Sequence, residues 1–138
     1  MNKWQHKDLW LKRMDGFAVE VSRHSVPISS FDEGERGTNR WCVYAYIYPP
    51  HAYFKSFDGN DMFQPAANAM PLHGGPSLFR RNVDNDGAVT SIQVGADYDH
   101  LYDNAYSFYE TPEDASSVFH DADRLVSWLD AAAKEETA

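Results

Sequence analysis

Apolar and polar positions alternate with a strand-like period along most of this chain and switch to a helical period once, near its end. Phe17, Val19 and Val21 fall on one side of an extended run and Ala18, Glu20 and Ser22 on the other, the pattern of a half-buried strand. Asp15-Gly16 separates this run from residues 8–14, and because both turn positions tolerate positive φ, a hairpin is predicted. Over residues 40–48, Trp41, Val43, Ala45 and Ile47 alternate with Cys42, Tyr44, Tyr46 and Tyr48. That strand is expected to be central, with both faces covered, and Pro49-Pro50 ends it because proline cannot donate to a ladder. Residues 77–81 and 88–94 flank the turn Asp84-Asn85-Asp86-Gly87 and form a second hairpin, with Thr90, Ile92 and Val94 on one face. Between residues 51 and 72 the stretch bracketed by Pro65 and Pro71 is too short for an independent helix, so irregular chain with one helical turn is expected.

From Thr111 the period changes. Thr111 is a predicted N-cap, Pro112 suits the first helical position, and Glu113 and Asp114 favour the positive end of the helix dipole. Ala115, Val118, Phe119, Ala122, Leu125, Val126 and Leu129 then recur as one apolar stripe, with Asp121, Asp123 and Asp130 assigned to the opposite side. The sum is an α+β fold: an antiparallel sheet of four to six strands with a long C-terminal amphipathic helix across one face, one domain over residues 1–138. Residues 29–39 are polar enough to read as a mobile loop, and residues 134–138 as a frayed tail.

Composition narrows the classes. The 138 residues hold one cysteine, Cys42, which excludes an internal disulfide framework and any zinc site with two or more thiolates and makes a reducing cytoplasm the expected compartment. The longest apolar run, residues 41–48, is far short of the ~20 residues a membrane span needs, so no membrane partner is expected. Residues 1–96 carry ten acidic and ten basic side chains, whereas residues 97–138 carry eleven acidic and two basic. The whole net charge of −9 therefore lies in the last third, which argues against direct nucleic-acid binding and for a basic protein surface as partner.

Candidate chemistry brackets the second hairpin. His73-Gly74-Gly75 precedes it, and Gly95-Ala96-Asp97-Tyr98-Asp99-His100-Leu101-Tyr102-Asp103 follows. If residues 97–103 took a helical turn, Asp97, His100 and Asp103 would share one sector, and with His73 they would offer imidazole and carboxylate ligands suited to zinc, manganese or iron. A metal there can generate hydroxide, with His100 and Asp97 as candidate catalytic groups. The same residues have a structural reading, in which the glycines supply positive φ and the aspartates close turns on nearby backbone N–H groups. His24, His51 and His120 are weaker candidates, read as structural or boundary residues.

The two motifs and the Thr-led helix after them resemble a signature of small proteins encoded by bacteriophages and other mobile elements: His-Gly-Gly, then Gly-x-Asp-x-x-His-x-x-Asp, then a terminal helix. The resemblance spans about residues 70–130 and departs from the usual pattern at Pro76 and Ser77, where an aliphatic residue and Thr are common. It implies a small accessory protein in a bacterial host cytoplasm. Two functions are therefore expected. The first is an accessory protein that binds a host protein without a cofactor, as an anti-CRISPR-like inhibitor of a defence system would, through an acidic, tyrosine-rich surface of Tyr98, Asp99, Tyr102, Asp103, Tyr106, Tyr109 and Glu110. The second is a small hydrolase with a divalent transition metal held by His73, Asp97, His100 and Asp103. Tyr44, Tyr46 and Tyr48, on one strand face, are available either to a partner or to the helix.

Overall fold

The alternating runs resolve into a five-stranded antiparallel sheet in the computed structural model, which describes residues 7–26, 37–100 and 103–135. The strands are β1 (Lys7–Arg13), β2 (Phe17–Ser25), β3 (Asn39–Ile47), β4 (Leu78–Val83) and β5 (Val89–Asp97), in spatial order β1-β2-β3-β5-β4. Gly16 turns the first hairpin at φ 81° and Gly87 the second at φ 84°, as the Asp-Gly dipeptides require. Between β3 and β4 the chain forms a 3-10 turn (Ala52–Ser56) and one short helix, α1 (Pro65–Asn68). Another 3-10 turn (Asn104–Phe108) precedes the long helix α2 (Ser116–Glu135).

Register explains the core. Trp10, Val21, Val43 and Ala96 lie opposite one another across β1, β2, β3 and β5, and Val19, Ala45, Val94 and Phe79 form the next row across β2, β3, β5 and β4. All these side chains share a face, and α2 lies on it with Val118, Ala122, Leu125, Val126 and Leu129 buried. Phe119 is half-buried edge-on to Trp10 at 5.3 Å, and Trp10 stacks on the fully buried Trp41. Each such large apolar side chain contributes about 1.5–3 kcal/mol on burial, so the helix is held by its stripe rather than by its intrinsic propensity.

Thr111 Oγ1 accepts the Asp114 N–H at 3.1 Å, but residues 112–115 form turns and the regular helix starts at Ser116, so Thr111 closes the turn leading into the helix rather than capping the helix itself. Asp123 and Asp130 lie on the outer side and approach Lys12 and Lys134 at 3.7 and 3.9 Å, whereas Asp121 does not: it accepts the Tyr98 hydroxyl at 2.6 Å.

Two local expectations change. β3 is central but only one of its faces is covered by α2; Tyr44 and Tyr46 stand on the other face, half-buried, and the exposed Leu9 and Leu11 of β1 share that face across β2. Small residues let those rings lie down on the sheet: a Cβ on Gly95 would sit 2.3 Å from the Tyr44 ring. β2 is not a half-buried strand either, because Ala18 and Ser22 are buried on that second face along with Cys42. Of the loop expected to be mobile, residues 29–36 lie outside the described residues, and its end is tied: the Gly37 N–H donates to Ser107 Oγ at 2.7 Å and Asn39 begins β3. The tail expected to fray from residue 134 is helical through Glu135, and residues 136–138 lie outside the described residues.

Candidate functional site

The β4–β5 hairpin is what brings the two motifs together. An antiparallel hairpin places the residue before its first strand beside the residue after its second, and here the Ser77 N–H donates to the Gly95 carbonyl at 2.8 Å while Ser77 Oγ accepts the Asp97 N–H at 3.0 Å. His73, before the hairpin, and His100 and Asp103, after it, consequently meet at one end of the sheet. Gly74 allows the approach: at φ 70° it is in the left-handed region, and a Cβ there would meet the His100 ring at 3.2 Å.

Asp103 is the centre of the cluster. Its carboxylate, 8 % exposed, has both oxygens 2.9 Å from His73 Nε2. Its Oδ2 also accepts the His100 backbone N–H at 3.0 Å and faces His100 Nδ1 at 3.1 Å. Burial pushes the Asp103 carboxyl up, but the His100 N–H and the two imidazoles outweigh burial, and the net effect holds it below the usual carboxylate range. The His73 ring stacks on Tyr98, with centroids 4.2 Å apart and planes 12° from parallel. Burial, with the Asp121 carboxylate next, holds the Tyr98 phenol well above its ordinary value, so it remains a donor to Asp121. One nitrogen or oxygen from each of His73, His100 and Asp103 lies within 4.8 Å of the others, the only such group of three among the described residues.

The described residues 97–100 do not take the helical turn considered over residues 97–103. Asp97 is the last residue of β5, the turn closes later through the Asp103 N–H and the His100 carbonyl, and so Asp97 stands outside the trio, its Oδ1 3.7 Å from His100 Nδ1. Asp97 Oδ1 accepts the Asp99 N–H and Asp103 the His100 N–H, so the turn-closing role expected of both aspartates is present alongside the cluster.

Of the seven residues read as an acidic, tyrosine-rich surface, the structure buries two and leaves four exposed or half-buried. Tyr98 is 2 % exposed and Asp103 is buried, so neither can meet a partner; the pairing of β5 continues through the Tyr98 N–H to Trp41 O, which turns the ring into the core. Tyr106 and Tyr109 are half-buried and in edge contact with each other, Asp99 is exposed with Arg40 at 3.6 Å, Glu110 is exposed, and Tyr102 lies outside the described residues. His51, read as structural or solvent-facing, is structural: buried, with Nδ1 accepting the Tyr53 N–H and Nε2 donating to the Leu129 carbonyl at 3.0 Å. The Tyr98–Asp121 bond was missed by sequence reasoning, because a polar helix position carries no sign of which phenol it will meet. Comparison with family models, curated proteins and solved structures gives no match, and no helix among the described residues is long and apolar enough to cross a membrane.

Proposed function

We propose that the protein is a small metal-dependent hydrolase whose divalent transition metal is held by His73, His100 and Asp103. The single observation that supports this reading is the convergence of two imidazoles and one carboxylate from both flanks of a hairpin, with their donor atoms within 4.8 Å. Two nitrogens and one oxygen suit zinc, and equally the iron(II) sites built from two histidines and a carboxylate. Held by these three residues, a zinc ion would have a fourth position open to water, would lower that water's pKa to about 7, and would supply a nucleophile for a carbonyl or phosphoryl centre. The half-exposed Asp97, 3.7 Å from His100, is the carboxylate available to take the proton. His73, stacked on Tyr98, and His100, packed on Gly74, are fixed before any ion arrives.

Titration of the chelator-treated protein with zinc and with iron(II) tests the reading. One equivalent is expected to bind, with His73→Gln and His100→Gln each weakening it at least about a hundredfold while the protein stays folded. A folded wild type that takes up neither metal would leave the trio as a hydrogen-bond network and remove the hydrolase. The competing reading, a phage or mobile-element protein that inhibits a host defence factor, rests on the acidic last third and the resemblance. Burial of Tyr98 and Asp103 takes two of its contact residues away.

A further inference from the structure

A hollow of about 250 Å³ lies against the proposed metal site, between residues 70–73 and α2, and is lined by His73 on one side and by Asp121 and Arg124 on the other. A second, larger hollow of about 520 Å³ shares Pro71 and Arg124 with it and continues along α2 to Trp128. Arg124 therefore stands where a groove leaving the site crosses Pro71. The two carboxylates flanking it on the helix are engaged: Asp121 accepts the Tyr98 hydroxyl at 2.6 Å, and Asp123 lies 3.7 Å from Lys12 Nζ. The exposed Arg124 guanidinium has no hydrogen-bond or ion-pair partner among the described residues, and it is the one arginine or lysine lining the two hollows. Its planar fork matches an oxyanion in two-point geometry.

We infer that this groove receives the anionic group of the substrate, a phosphate or a carboxylate, on Arg124, with the scissile bond directed toward His73. The inference rests on the hydrolase reading for the role of the anion but not for its binding. A net charge of −9 makes such recognition depend on one placed cation rather than on a general field, and Asp121, lining the same hollow, disfavours a second anionic group there.

The test uses inorganic phosphate and acetate as probes, each titrated into metal-free and zinc-loaded protein and followed by the Arg124 side-chain Nε resonance and by calorimetry. Phosphate or acetate is expected to shift that resonance, with affinity falling about tenfold or more in Arg124→Gln and partly retained in Arg124→Lys. The stronger of the two probes names the anion class. Zinc affinity is expected to be the same in Arg124→Gln as in wild type, since Arg124 supplies no ligand. If zinc binds but neither anion distinguishes wild type from Arg124→Gln, the inference is wrong and the hydrolase reading stands. If zinc does not bind while an anion still depends on Arg124, the anion site stands and the hydrolase reading falls.

Discussion

Replacing Asp103 by Asn probes the centre of the cluster with almost no change in volume. Oδ2 accepts the His100 backbone N–H, so the remaining carbonyl oxygen of the amide must occupy that position, and the new NH2 then takes the place of Oδ1, 2.9 Å from His73 Nε2. His73 Nε2 then keeps only the one remaining oxygen, also 2.9 Å away, which must serve the His100 N–H and both imidazoles, and every bond that survives loses its charge assistance. Bonds to a charged acceptor contribute about 1.5–3 kcal/mol against about 0.5–1.5 for neutral ones, so weakening two or three of them costs about 2–3 kcal/mol. With an unfolding entropy of about 2.1 cal/mol/K per residue over 138 residues, that lowers the melting temperature by about 7–10 °C. Thermal unfolding followed by circular dichroism in chelator measures it. Repetition with zinc at a thousandfold excess over its dissociation constant is expected to stabilise wild type by about 4 kcal/mol and Asp103→Asn far less. An Asp103→Asn melting temperature within about 2 °C of wild type in chelator would refute the claim that this carboxylate organises the site.

Other outcomes follow from the same geometry. Leu125→Ala, at a fully buried position of the α2 stripe, should lose about 2–5 kcal/mol in denaturant unfolding, and an unchanged midpoint would mean that the helix does not dock on the sheet as described. Gly95→Ala should cost at least about 1–3 kcal/mol, because the new Cβ would lie 2.2 Å from the Val43 carbonyl and 2.3 Å from the Tyr44 ring; a wild-type melting temperature would show that β3 and β5 are not paired as closely as described. Since the native Asp103 carboxyl is held below its unfolded value of about 3.9, its contribution is complete above that pH and is lost as pH falls through the lower native value. Urea midpoints measured from pH 5 downward should therefore drop more steeply for wild type than for Asp103→Asn, and parallel acid limbs would show that the carboxylate gains nothing from its neighbours.

Both hairpins, the central β3 and the apolar stripe of α2 are legible in the residues because each is dictated by a local rule: Asp-Gly turns, period-two alternation, and a recurrence that only a helix can gather onto one side. The meeting of His73 with His100 and Asp103 is partly legible, since a hairpin must bring its flanks together, and two histidine-bearing motifs bracket one. Which carboxylate joins them is not. Asp97 and Asp103 are both three residues from His100, and the choice depends on how far the β5 ladder runs: pairing through Tyr98 keeps Asp97 extended, and it is the Asp103 N–H that bonds the His100 carbonyl.

Charge along the sequence likewise fixed how acidic the last third is, but not where its side chains point. Tyr98 and Asp103 turn inward and Asp121 meets a phenol across the fold, while Tyr44 and Tyr46 remain on the face that α2 leaves open. The physical reason is one of range. Turn chemistry and periodicity act over a few residues and are written in the sequence, whereas burial, the partner of a polar group and the face a helix covers are settled by contacts between segments 20 to 80 residues apart, such as Tyr98 with Asp121 and His51 with Leu129, which exist only once the sheet and α2 have come together.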